Sequence, residues 1–236
     1  MRAARTLLLA LTLLPVMGGG ISAKSTRLYN SFPGETAVGR LVVSGNAMCT
    51  GALVSPDTVL TAAHCLYDPR TGRRVDPHKI EFQAGLKQGR ASAVRQVASA
   101  KEHPSYRHRR KGNAQLGNDL ALLRLQSPIS SQNVLPLDFN PGLERGDTLA
   151  VMSYTIGNKT NPIMEYPCTV LAREMQTLVM SCEVDYGASG APVIALNKGN
   201  RPTLVSVVSA KAAMNGKKVS VGTTLNANTL RLLSGG

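Results

Sequence analysis

Residues 49–65 read Cys49-Thr50-Gly51-Ala52-Leu53-Val54-Ser55-Pro56-Asp57-Thr58-Val59-Leu60-Thr61-Ala62-Ala63-His64-Cys65. Two β-rich runs, 48–54 and 58–62, flank the breaker Ser55-Pro56-Asp57, and the second run ends in a histidine beside a cysteine. Working outward, the same alternation of short β-rich runs and turn signals continues along the chain. Further strands are expected at 41–44, 79–84, 93–99 and 120–125, then at 148–154, 166–172, 177–182, 192–196, 204–209 and 218–222. Twelve short strands at this spacing describe an all-β sandwich or barrel. Residues 128–136 carry breakers between two sets of six strands, which places a boundary there and gives units at 24–132 and 133–236. Helical periodicity is clearest at 226–233, where Leu225, Leu230 and Leu233 fall near one face.

Composition excludes several classes. The 236 residues are 43% hydrophobic and 17% charged, too apolar for a disordered chain, and no internal apolar run is long enough to span a bilayer. With 4% aromatic residues and no Trp, a nucleic-acid reader built on stacking platforms is disfavoured. The formal charge of +13 nevertheless points to an anionic partner. Two of those charges, Arg2 and Arg5, open an N-terminal segment whose residues 6–17 are almost wholly apolar. Small residues follow up to Ala23, so residues 1–23 read as a secretory signal and the protein as secreted or periplasmic. Export favours disulfides among Cys49, Cys65, Cys168 and Cys182, with three pairings open. No pair has the close C-x₂₋₄-C spacing of a structural zinc site, and neither metal nor cofactor is expected.

Two more segments join the one around His64. Asp119 opens the apolar run Leu120-Ala121-Leu122-Leu123, and Ser189 lies in the turn Gly187-Ala188-Ser189-Gly190 before another strand. Alone, each has a plain structural explanation: a buried histidine, a strand cap, a tight turn. Together they supply what acyl transfer needs. A serine hydroxyl is a poor nucleophile without an adjacent base, usually imidazole. The imidazole needs an acceptor on its second nitrogen to hold its tautomer and stabilise its cation. Glycines leave backbone N–H groups free to face a developing oxyanion, here the amides of Gly187 and Ser189.

The segments TAAHC, NDLALLRL and GASGAP, in the order His, Asp, Ser, resemble those of the chymotrypsin/trypsin-like serine peptidases, over roughly residues 37–233. The wording CTGALVSPDTVLTAAHC is similar to the bacterial secreted branch that includes the V8-like glutamyl endopeptidases. The resemblance implies two six-stranded antiparallel β-barrels with the active site between them and a short C-terminal helix. It implies His64 as general base then acid, Asp119 as orienting carboxylate and Ser189 as nucleophile of a secreted serine endopeptidase. It also implies a Cys49–Cys65 bridge, and with it Cys168–Cys182. Many animal members carry an aspartate just before the nucleophile to receive a newly cut N-terminus. Ala188 stands there, so no activation of that kind is expected and the support of the oxyanion loop is left open.

By the same resemblance, Glu183 matches the base of the primary pocket, with Asp185 as a nearby alternative, and an acid there favours Lys or Arg before the cleaved bond. Val208, Ser209, Ala210 and Lys211 match the strand that pairs with substrate backbone. Val208 stands where glutamyl-specific enzymes carry a histidine, which argues against glutamyl preference. Basic residues gather at Arg70, Arg73 and Arg74 and at Arg107, Arg109, Arg110 and Lys111. The second group offers an anionic surface or polyanion a landing site, without a module for specific nucleic acid. The rival to a monomeric, active endopeptidase is an inactive protease-like protein that binds anionic envelope through these loops.

Overall fold

The computed structural model describes residues 26–28, 32–109, 113–139, 142–143, 147–196, 202–227 and 231. The expected signal segment, Arg110, Lys111 and most of the expected helix at 226–233 lie outside the described residues; Ala227 and Arg231 are helical. Thirteen strands are present among the described residues: β1 (Thr26–Leu28), β2 (Val38–Val43), β3 (Ala47–Ser55), β4 (Thr58–Thr61), β5 (Ile80–Ala84), β6 (Ala93–Glu102) and β7 (Ala121–Leu125) precede the crossing. After it come β8 (Thr148–Thr155), β9 (Asn158–Glu174), β10 (Thr177–Met180), β11 (Pro192–Ala195), β12 (Thr203–Met214) and β13 (Lys217–Thr224). Twelve of them overlap the twelve expected runs. The main differences in extent are β9, which starts eight residues earlier than its apolar run, and β12, which continues five residues past Ser209. The β9 extension is at most partly buried until Met164 and Glu165, and the β12 extension, Ala210 to Met214, is exposed after its first residue, so neither carries a regular alternating signal to read.

The first barrel closes in the order β2-β3-β4-β7-β6-β5. Its interior is filled by Leu41, Leu53, Leu60, Ile80, Phe82 and Leu123, all almost fully buried. Strands β5 and β7 alternate buried and less buried residues, as a barrel wall with one solvated face requires. In the second barrel the order is β9-β10-β13-β12-β11-β8, closed by the pairing of β8 with β9, while β1 adds to β9 as an outer strand. Strand β8 is buried on both faces after its first residue. Leu149 and Val151 fill the second barrel, whereas Ala150, Met152 and Tyr154 pack in the cluster shared with the first. The period-two alternation thus divides one apolar strand between a core and the seam between barrels.

The linker stays on the first barrel through Ile129 N–H to Pro56 O and Leu137 N–H to Leu53 O. It reaches the second barrel one residue later, where Leu204 N–H donates to Asp138 O. Cys49–Cys65 and Cys168–Cys182 are both disulfide-bonded, one in each barrel, as the resemblance implies.

Candidate active site

His64 lies in the single 3-10 turn Ala63–Leu66 that follows β4. Asp119 lies two residues before β7. Strands β4 and β7 pair in antiparallel register with Thr61 opposite Ala121, so both residues leave the barrel at the same end. There His64 Nδ1 is 2.7 Å from Asp119 Oδ2, and His64 N–H donates to Oδ1 at 2.9 Å. Because a carboxylate only accepts, Nδ1 carries the proton and Nε2 keeps its lone pair. Ser209, at the end of the buried part of β12, donates a third hydrogen bond to Asp119 Oδ2. Asp119 is 4% exposed. Burial opposes its ionisation, but the His64 charge and the three hydrogen bonds outweigh that and hold its carboxyl below the usual range. For His64, burial works against the cation, and the Asp119 charge and hydrogen bond more than offset it, so its pKa is raised.

Ser189 arrives from the second barrel. Thr50 N–H donates to Ser189 O at 2.8 Å, and Gly190 N–H to Val208 O at 2.8 Å. A Cβ on Gly190, at φ 79°, would lie 2.0 Å from Thr61 Oγ1 and 3.0 Å from Ala62 N. The serine turn therefore seats flush on the residues leading to His64, which only glycine permits. Gly187 (φ 101°) is packed as closely: a Cβ there would meet Met48 Cε at 2.5 Å and Tyr154 O at 2.9 Å. Sequence reasoning missed Thr50 and Ile156. The Thr50 hydroxyl accepts from Tyr154 N–H at 3.0 Å and donates to Gly187 O at 2.9 Å, and Ile156 N–H donates to Tyr186 O at 2.8 Å. Nothing local marked either residue, since both act on a turn more than 25 positions away.

Among the predicted substrate-binding residues, Val208 and Ser209 are buried, Ala210 is half-buried and Lys211 is exposed. Glu183 is exposed. Asp185 receives Lys211 Nζ at 3.4 Å, and the same ammonium stands 3.4 Å from the ring centre of Tyr186. The Lys211 cation of β12 thus reaches across to the loop before Ser189. Beyond Val207, β12 pairs with β13 alone among the described strands.

The two basic groups meet beside His64. Arg109 Nη2 donates to Thr71 O at 2.8 Å, tying the second loop to the first. The His108 ring stacks on Tyr67 with centroids 3.9 Å apart, and Tyr67 N–H bonds His64 O at 3.2 Å. Tyr67 Oη donates to Glu102, which Arg74 approaches at 4.0 Å. Burial and the Glu102 carboxylate push the Tyr67 phenol up to about 12. His64, Cys49 and Cys65 also lie close enough together to share an ion, but both sulfurs are consumed in a disulfide and offer no thiolate.

Three comparisons bear on this arrangement. The family profile described as Trypsin matches residues 29–230. Trypsin alpha of Drosophila melanogaster is 32% identical over 119 residues, covering 50% of this chain and 41% of the relative. Trypsin delta of Drosophila erecta is 29% identical over 124 residues, covering 52% of this chain and 44% of the relative. The matched segment spans less than half the length of these curated relatives. A solved structure of a Glu endopeptidase in complex with MPD has a TM-score of 0.73 at 17% identity, covering 91% of this chain and 97% of that one. That likeness is one of fold.

Proposed function

As the chain belongs to the trypsin family, we propose that it is a serine endopeptidase working through an acyl-enzyme. The observation that carries this reading is the His64 Nδ1–Asp119 Oδ2 bond of 2.7 Å, at the barrel end against which the Ser189 turn is seated. Ser189 Oγ attacks the scissile carbonyl while His64 Nε2 takes its proton. The negative charge of the tetrahedral intermediate falls on the substrate oxygen, facing the Gly187 and Ser189 amides. His64 returns the proton to the leaving amine, and water then repeats the sequence on the acyl-enzyme. A serine-directed fluorophosphonate tests this: it modifies Ser189 in the disulfide-intact protein, and no adduct at Ser189 refutes the enzyme.

Two finer points belong to the same proposal. Preference for Lys or Arg before the cleaved bond rests on Glu183, because Asp185 already holds Lys211; a peptide-library digest without such preference removes it. Export rests on residues 1–23 and is checked by the N-terminus of the mature protein. A second reading, retention on polyanions, is favoured by the joining of the Arg109 loop to the loop carrying Arg70, Arg73 and Arg74. Replacing Arg107 and Arg109 by Gln then weakens heparin retention, and unchanged elution rejects it.

A further inference from the structure

With Ala188 before the nucleophile, no side-chain carboxylate at that position is available to hold the oxyanion loop, and Ala188 itself is fully buried. The loop contains Gly187 at φ 101°, a residue free to adopt many backbone conformations, so its observed one needs an external restraint. Three consecutive peptide planes decide where the two oxyanion donors point. In a trans peptide the C=O and the N–H of one plane are antiparallel, so holding the carbonyl aims the amide the opposite way. The Tyr186 carbonyl accepts from Ile156 N–H at 2.8 Å, which turns Gly187 N–H away from the β8–β9 hairpin. The Ala188 carbonyl accepts from Ala191 N–H at 2.9 Å, which fixes the Ser189 N–H.

The middle plane lies between these two. Its amide, Ala188 N–H, bonds Asp185 O at 3.0 Å, and its carbonyl, Gly187 O, receives the Thr50 hydroxyl at 2.9 Å. Thr50 is fully buried and its own position is fixed several times over. Its N–H holds Ser189 O at 2.8 Å, its carbonyl accepts from Thr61 Oγ1 at 2.8 Å, and its Oγ1 accepts from Tyr154 N–H at 3.0 Å. Tyr154 is held at its far end too, where Oη donates to Leu86 O in the first barrel at 2.9 Å. One hydroxyl therefore joins the first barrel, strand β8 and the oxyanion loop.

We propose that Thr50 is a positioning residue for the oxyanion hole: its hydroxyl locks the Gly187–Ala188 peptide and so holds the Gly187 and Ser189 amides toward the developing charge. The inference rests on the endopeptidase reading for its catalytic consequence, but its structural content is readable without turnover. Thr50→Val keeps the shape and deletes the hydroxyl. Its kcat falls by about 10- to 100-fold, short of the full loss of one oxyanion donor, with KM within about two-fold. Affinity for a peptidyl boronate falls in parallel with kcat, while the acid limb of the pH profile stays where it is. Thr50→Ser restores the hydroxyl and recovers kcat. Ile156→Pro, which removes the other exterior donor without touching the core, lowers kcat in the same way.

The non-catalytic readout is the pair of backbone amide resonances of Gly187 and Ser189, which move or broaden in Thr50→Val and return in Thr50→Ser. If Thr50→Val fails to fold, Ile156→Pro and Thr50→Ser carry the comparison. Wild-type kcat in both Thr50→Val and Ile156→Pro overturns the proposal. So does lost activity with unaltered amide resonances. A wild-type protein that hydrolyses no peptide and takes no fluorophosphonate refutes the endopeptidase instead, and the amide resonances still decide whether Thr50 holds the loop.

Discussion

The two sides of the proposed catalytic centre are built from different materials. On the acid–base side, a buried carboxylate and an imidazole hold each other by charge at 2.7 Å, with Ser209 as a third partner. On the oxyanion side, no charge takes part: peptide planes are turned by hydrogen bonds from Thr50, Ile156 and Ala191. The first arrangement depends on which side chains are present and titrates with pH. The second depends on which backbone segments approach each other and does not titrate. Damage to one side should therefore be distinguishable from damage to the other by the shape of the pH profile, not only by the size of the loss.

The largest effect is expected from Asp119→Asn, which leaves the volume and removes the charge. Activity falls by about 10⁴-fold, the size known for the type case of this triad. Because Asp119 raises the His64 pKa, and only neutral His64 is a base, the wild-type acid limb of kcat/KM lies above the range of an ordinary histidine. In Asp119→Asn that limb moves to lower pH; a fixed limb breaks the proposed coupling.

Gly187→Ala comes next. Alanine is strained at φ 101°, and its Cβ would lie 2.9 Å from Tyr154 O, so the turn shifts and one donor is lost. The rate falls by about 10²–10³-fold with the acid limb unmoved. A moved limb would show that the two sides are coupled after all.

Removing Cys168–Cys182 by a double change to alanine opens a loop of 14 residues in the second barrel. Denaturant titration then shows a loss of about 3 kcal/mol, while the His64 limb, held in the first barrel, keeps its position. The smallest effect belongs to Lys211→Ala. Its contacts with Asp185 and Tyr186 are solvent-exposed, so stability changes by less than about 1 kcal/mol. The change shows instead in selectivity, as cleavage after Lys or Arg improves relative to cleavage after neutral residues once Asp185 is released.

Much of the frame was legible in advance. The breaker Ser55-Pro56-Asp57 marks the turn between β3 and β4, and the β-rich runs 79–84 and 120–125 mark β5 and β7. The ends of β9 and β12 were not legible, because they lack a regular buried face and are held largely by pairing with neighbouring strands. The basic loops were read as two separate groups, the second a landing site for a polyanion. The structure joins them through Arg109 and Thr71 and stacks His108 on Tyr67, three residues past His64. A charge run declares its composition in sequence but not its address.

Residue identity alone determined the chemistry: which hydroxyl, imidazole and carboxylate exist, in what order, and that glycines surround the serine. Those are properties of single side chains and of spacings within a few positions. Only the tertiary structure decided which groups orient the peptides around them. Thr50 reaches Tyr154 and Gly187 across 104 and 137 positions, and Ser209 reaches Asp119 across 90. A hydrogen bond acts over about 3 Å and is indifferent to distance along the chain, so partners of this kind become visible only when two closed barrels bring their loops together.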